Sequence, residues 1–249
     1  MSATIRIVTY NVHKCRGIDG RTDPLRIARI LREINPDIAS IQEIVHGEGS
    51  SPNLNQARAI WSEMPDYEFR FGSNRFHQGA PYGNMTLSRF PVRVARNYNL
   101  TWKKCEGRGC LRTDVDLPNG ELLHVFNLHL GTSFIERRGQ GRLLLSTDIL
   151  RDAKLNGHRV VVGDFNEWTR GLASRLMSNN FESVDLRAYL RIRRTYPGLL
   201  PLLHLDDFYF DKGMALTSFS IYRTRSALLA SDHLPLVAEF EIGTTVSSR

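Results

Sequence analysis

Cysteine is scarce: Cys15, Cys105 and Cys110 are the only three in 249 residues. Three is too few, and odd, for a disulfide framework, and the step from Cys105 to Cys110 has no second pair to complete a zinc site. A reducing, cytoplasmic setting is therefore expected. Long hydrophobic runs are missing too. Stretches such as Leu143 to Leu145 and Val160 to Val162 are short, whereas a membrane-spanning helix needs ~20 apolar residues. Met1 to Thr9 lacks the apolar core of a secretory signal, so the mature chain is expected to begin there. No repeat, low-complexity tract or linker-like composition interrupts the sequence, which predicts one domain over residues 1–249. With 41% hydrophobic and 24% charged residues, disordered, collagen-like and coiled-coil readings are excluded.

What is present is a basic chain with short apolar segments. Lysine and arginine outnumber aspartate and glutamate by 33 to 26, a formal net charge of +7. A positive surface field attracts polyanions such as nucleic acid or anionic lipid. Ile5, Ile7 and Val8 open a strand. Asp23-Pro24 then supplies an N-cap and first-turn proline to a helix over 24–34, which carries Ile27, Ile30, Leu31 and Ile34 on one face and stops at Asn35-Pro36. Further strands are predicted at Asp37 to Gln42, ending in Glu43, and at Leu122 to Leu130, Val160 to Val162, Asp207 to Phe210 and Pro235 to Ile242. Long helical stretches are few, at 136–155 and 171–178 besides the first. Many strands with few helices point to packed sheets flanked by helices.

Polar residues fall at the ends of these strands, where sites are built. Asn11 follows the first and Glu43 the second. His129 ends a third beside Asn127, Asp164 and Asn166 follow Val162-Gly163, and Asp232-His233 precede the last. A hard divalent cation takes oxygen ligands, which this set supplies without a thiolate cage, leaving the histidines for proton transfer. Taken singly, Asn11 reads as a turn residue and Glu43 as a surface carboxylate. The argument lies in their joint order.

In that order, Thr9-Tyr10-Asn11, Ile41-Gln42-Glu43, Asn127-Leu128-His129-Leu130, Gly163-Asp164-Phe165-Asn166, Leu205-Asp206-Asp207-Phe208 and Ser231-Asp232-His233-Leu234-Pro235 resemble the signature of the endonuclease/exonuclease/phosphatase superfamily. The resemblance implies a four-layer α/β/β/α sandwich of two mainly antiparallel sheets flanked by helices. It also implies a Mg²⁺- or Mn²⁺-dependent phosphoesterase, with phosphodiester cleavage favoured. On it, Glu43 matches the principal metal-binding glutamate, with Asn11 and Asp232 beside it. Asp164 matches the aspartate that positions or deprotonates the attacking water, and Asn166 the amide that holds a phosphate oxygen. His233 matches the histidine at the scissile phosphate, Asp206 its orienting carboxylate, and His129 a second histidine that protonates the leaving group or binds phosphate.

Substrate class rests on weaker signals. Asn11-Val12-His13-Lys14 resembles a bacterial branch of the superfamily, and His13 and Lys14 are expected to border the cleft, where Lys14 meets phosphate as a point charge. Arg112, ahead of a short strand, is expected to reach phosphate, whereas Tyr82 reads as structural or as a wall of the site. Nucleic acid is favoured as substrate by the net charge and by Lys103-Lys104, Arg137-Arg138 and Arg191 to Arg194. A phospholipid or head-group phosphodiester is the alternative, motivated by the arginines and leucines of 189–205, which suggest peripheral contact with an anionic membrane. Small phosphorylated metabolites come third, and no protein partner is inferred.

Overall fold

Strand β1 (Ala3–Asn11) is buried on both faces: Ile5 and Ile7 join one apolar layer, Val8 and Tyr10 another. A strand of this kind belongs inside a sheet covered on both sides. The computed structural model describes residues 2–48, 53–167, 175, 177–183, 195–196 and 205–243. After β1 come a 3₁₀ turn (His13–Cys15), α1 (Pro24–Ile34), β2 (Ile38–Val45), α2 (Gln56–Ser62), β3 (Glu68–His77), β4 (Ala80–Ser88), β5 (Val92–Asn99), β6 (Gly109–Asp116) and β7 (Leu122–His129). The chain continues through α3 (Phe134–Leu144), β8 (His158–Asp164), β9 (Glu182–Ser183), β10 (Asp206–Phe210), β11 (Met214–Ile221), α4 (Arg225–Ala230) and β12 (Leu236–Ile242).

Two six-stranded sheets result, in the orders β11-β12-β1-β2-β4-β3 and β5-β6-β7-β8-β10-β9. Among the described residues, only β1 with β2 and β7 with β8 pair in parallel, so both sheets are mainly antiparallel. The sheets share a core of Ile5, Ile7, Ile38 and Phe240 against Val125, Val160, Val162 and Phe208. On the outer face of the first sheet, Ile27, Ile30 and Leu31 of α1 cover Val8, Tyr10 and Ile41. On the other side, Leu144 of α3 with Leu145 and Met177 covers Phe126, Leu128 and Val161. This is the expected four-layer α/β/β/α sandwich.

Helix α1 has the predicted bounds, for stated reasons. Asp23 accepts from the Arg26 N–H at 3.0 Å, Pro24 occupies the first turn, and Asn35 ends the helix in the left-handed region at φ 52°. The helix expected over 136–155 is shorter. It stops at Leu144, and just beyond it Ser146 Oγ accepts from the Asp148 N–H at 3.4 Å, a local side-chain bond that competes with the helical ladder. Gly139 within α3 is a close approach: an added Cβ would meet the Trp102 ring at 2.4 Å. Of the segment expected to be helical at 171–178, only residues 175, 177 and 178 are described. In the basic and leucine-rich run 189–205, only Thr195, Tyr196 and Leu205 are. No described helix is long and apolar enough to cross a membrane.

The inter-sheet layer changes character along the strands. Facing inward on β1 are Ile5, Ile7, then Thr9 and Asn11; on β7, Leu123, Val125, then Asn127 and His129; on β8, Val160, Val162, then Asp164. One end of the layer is therefore oil and the other polar. A buried polar layer persists only if satisfied. Gln42 Nε2 donates to Asn127 Oδ1 at 2.8 Å and to Thr9 Oγ1 at 3.0 Å, and Asn127 Nδ2 donates to the Met85 carbonyl at 2.8 Å. Asn84 Nδ2 donates to the Asn127 carbonyl at 3.1 Å. The two sheets are pinned together here, directly beneath the strand ends.

Candidate active site

Above that polar floor, one oxygen is the point of convergence. Asn11 Nδ2 donates to Asp164 Oδ2 at 2.9 Å, and the Nε2 atoms of His129 and His233 lie 3.6 and 3.7 Å from the same atom. Its carboxylate partner, Oδ1, accepts from the Asn166 N–H at 2.8 Å. Burial raises the Asp164 pKa above the ordinary carboxylate range, the more so because Asp206 is near.

His233 presents Nδ1 to Asp206 Oδ2 at 2.9 Å, and that oxygen also accepts from Thr195 Oγ1 at 2.7 Å. Burial opposes charge on this ring, but Asp206 and Asp164 outweigh it and hold the His233 pKa above its usual value. The Tyr196 ring lies 4.9 Å from the imidazole, centre to centre. His129 is the opposite case. Arg108 Nη1 lies 3.3 Å from its Nδ1 and Asn166 Nδ2 lies 3.0 Å from its Nε2. Burial and then the Arg108 charge push its pKa down to about 3, and the ring is neutral.

Glu43 forms the other half of the site. Strand β2 slips register against β4 between Ile41 and Ile44, and Glu43 sits in that irregularity with φ 59°, a costly conformation for a non-glycine residue. The carboxylate accepts from Asn11 Nδ2 at 3.2 Å, from Lys14 Nζ at 3.0 Å and from the Tyr82 hydroxyl. Burial works against its charge, but Lys14 and the other cationic groups around it prevail and keep it ionised. His13, Lys14 and Cys15 follow at φ 45°, 57° and 54°, three successive left-handed residues held by the His13 N–H donating to Asn11 Oδ1 at 3.0 Å. His13 Nδ1 then lies 3.4 Å from Asp232 Oδ2. Ser231 Oγ donates to the Asn11 carbonyl at 2.8 Å and accepts from the His233 N–H at 3.2 Å, which ties the approach to β12 against the end of β1.

Asn11, Lys14, Glu43, His129, Asp164, Asn166, Asp206, Asp232 and His233 are thus brought together. Arg112 is not, and parity explains it. It pairs across β6 and β7 with Phe126, on the sheet face turned away from the site. There its guanidinium forks onto Asp114 at 2.5 and 2.7 Å, and Asp114 also holds His124 Nδ1 at 2.7 Å. The expected phosphate contact is corrected to a structural ion pair. Asp114→Asn should lower stability by about 2 kcal/mol, read as a drop in urea midpoint, because it leaves the partly buried Arg112 guanidinium without its charge partner. Burial would raise the Asp114 pKa, but His124 and Arg112 outweigh it and lower it. Its stabilisation is therefore present above the unfolded carboxylate value and is lost as pH falls below about 4.

Sequence reasoning missed Arg108 and Thr195, gave Ser231 no role beyond its motif, and left Tyr82 undecided; His13, expected at the border of the cleft, is there. The flanking glycines of Gly107-Arg108-Gly109 were a usable signal for a residue in close quarters. Thr195 and Tyr196 lay hidden in a run read for its charge and leucines.

The donor set suits a hard divalent ion. Glu43, Asn11 and Asp232 offer oxygen, and Glu43 already attracts one cation in the Lys14 ammonium. A second grouping, Asp164, Asp206 and His233, has ligand atoms within 4.8 Å of one another. There His233 Nδ1 and Asp206 Oδ2 are committed to each other, which favours the Glu43 side for an ion.

Carboxylates, amides and histidines are thus gathered at one end of the inter-sheet layer of a two-sheet sandwich. Residues 8–233 match the model of the endonuclease/exonuclease/phosphatase family, and the chain belongs to that family, whose members are largely hydrolases acting on phosphate esters. It is 28% identical over 252 residues to the uncharacterized protein YbhP of Escherichia coli K12, covering 96% of this chain and 97% of that one. The fold is similar to the catalytic domain of human nocturnin, at a TM-score of 0.76 and 20% identity, covering 95% and 94% of the two chains. It is also similar to a Bacteroides thetaiotaomicron mannosyl-6-phosphatase, at 0.76 and 16%, covering 95% and 99%.

Proposed function

We propose that this phosphoesterase is a divalent-metal-dependent hydrolase of phosphodiesters, with polynucleotide as its first substrate class. The observation that carries the reading is the convergence of Asn11, His129 and His233 on Asp164 Oδ2. Asn11, Glu43 and Asp232 would hold Mg²⁺ or Mn²⁺, which supplies positive charge against the charge developing on the phosphoryl oxygens. Asp164, its pKa raised by burial, accepts the proton of the attacking water. His233, kept protonated by Asp206, returns a proton to the departing oxygen. His129, with its pKa lowered to about 3, is unprotonated near neutral pH and so does not serve as the acid; its neutral ring instead faces a phosphoryl oxygen, beside the Asn166 amide. Four carboxylates, Glu43, Asp164, Asp206 and Asp232, surround this space, and a diester monoanion is repelled less by them than a monoester dianion.

Polynucleotide is supported by the net charge of +7. The test is a hydrolysis panel of single- and double-stranded DNA, RNA, phospholipids, inositol phosphates and sugar phosphates, with and without Mg²⁺ or Mn²⁺. If polynucleotide is cut, its affinity should fall steeply with added salt as released counterions lose their value. A flat salt response, or turnover confined to lipid, overturns the substrate class while leaving the site. A head-group phosphodiester is the second reading, favoured by the exposed apolar rim described next.

A further inference from the structure

The three most exposed large apolar side chains among the described residues are Phe76 at 70%, Ile135 at 67% and Phe134 at 56%. All flank the candidate active site. Phe134 and Ile135 open α3, a few residues beyond His129. Phe76 lies at the end of β3 beside Arg75, whose guanidinium stacks 4.4 Å from the ring centre of Tyr82, the residue that holds Glu43.

A single loop links the two places. Residues 101–107 run from Trp102, whose ring packs on Gly139 of α3, to Glu106, which pairs with Arg75 and with Arg108, each at 2.7 Å. Phe76, the loop and the start of α3 therefore form one continuous rim. The exposed charges of the loop and helix that lack an opposite partner are of one sign: Lys103 and Lys104 on the loop, Arg138 on α3. The carboxylates on the loop and helix are both occupied, Glu106 by the two arginines and Glu136 by burial against Gln140. An exposed patch of this kind marks an interaction site, because water-facing Phe and Ile gain by leaving water.

We propose that this rim docks the protein on an anionic bilayer surface, with Phe134, Ile135 and Phe76 entering the interface and Lys103, Lys104 and Arg138 meeting lipid phosphates. Positive charge on the loop and helix, where neither carboxylate is free, selects an anionic partner. The choice of bilayer over a nucleic acid strand follows from Ile135, an aliphatic side chain with no face for stacking on a base, exposed next to Phe134. Docking in this way sets the mouth of the site against the membrane. The inference goes beyond the hydrolytic reading, for it holds whichever phosphodiester is cut.

The test is co-sedimentation of the full chain with phosphatidylcholine vesicles, with and without phosphatidylglycerol, for wild type, Phe134→Ser/Ile135→Ser, Phe76→Ser and Lys103→Glu/Lys104→Glu. Wild type should bind only the anionic vesicles, and the lysine double variant should bind them roughly tenfold or more weakly. The serine variants should also lose affinity. Hydrolysis of a small soluble diester should stay unchanged in all of them, which shows that they fold and separates this inference from the reading of the site. No wild-type binding, equal binding to neutral vesicles, or variants that bind as wild type does would overturn it. So would variants that lose single-stranded oligonucleotide binding while keeping vesicle affinity, an outcome that makes the rim a nucleic acid track.

Discussion

His233→Ala should lower kcat by on the order of 10³-fold, about 4 kcal/mol of barrier, while Mg²⁺ affinity barely changes. The ring is buried and charged only because Asp206 and Asp164 face it. Its Nδ1 is spoken for by Asp206 at 2.9 Å, so Nε2 alone, 3.7 Å from Asp164, is available to the reaction. Asp206→Asn removes the charge that keeps the ring protonated and should be damaging by itself. In a background lacking His233 it should be nearly silent, because groups that act as a unit are strongly non-additive. Steady-state rates and Mg²⁺ titrations of wild type, both single variants and the double decide the matter, with circular dichroism as the check on folding. Additive losses would break the pairing and make Asp206 a metal ligand, the role that its grouping with Asp164 and His233 would otherwise suggest.

How much of this was legible in the sequence depends on the kind of information each residue needs. Strands β7 and β8 and the later part of β1 are covered on both faces, so their apolar runs stand out, and the switch from Ile7 to Thr9 and Asn11 or from Val162 to Asp164 is visible as a polar residue at a strand end. Strand β5 is an edge strand with most side chains exposed, and β4 contains Pro81, Gly83 and Asn84; neither carries a period that composition reveals. Register is harder still. Glu43 was expected at the end of its strand, yet β2 continues to Val45, and only the slip against β4 and the positive φ turn that carboxylate to the site. Arg112 failed for the complementary reason, since one step along a strand reverses the face and nothing local states which face is which. Arg108, Tyr82 and Thr195 come from segments distant in the chain, and their place beside His129, Glu43 and Asp206 is a property of sheet packing alone.

Glu43→Gln should reduce turnover by about 10³-fold or more and weaken Mg²⁺ binding in parallel, with the fold intact, because ion-derived charge stabilisation is worth several kcal/mol. Glutamine matches glutamate in shape and preserves the contact with Asn11 Nδ2 through its carbonyl oxygen, so neither the bulge nor the φ of 59° is disturbed. What disappears is one negative charge from a cluster that also contains Asp164, Asp206 and Asp232. Relief of that repulsion offsets the lost Lys14 ion pair, and the melting temperature should change little. Isothermal titration with Mg²⁺ and Mn²⁺, read beside thermal melts, separates the two effects. A variant that binds Mg²⁺ as tightly as wild type and turns over normally would move the ion away from Glu43 and towards the Asp164, Asp206 and His233 grouping. In that case His233 would be committed as a ligand, and its substitution would cost metal affinity instead of sparing it.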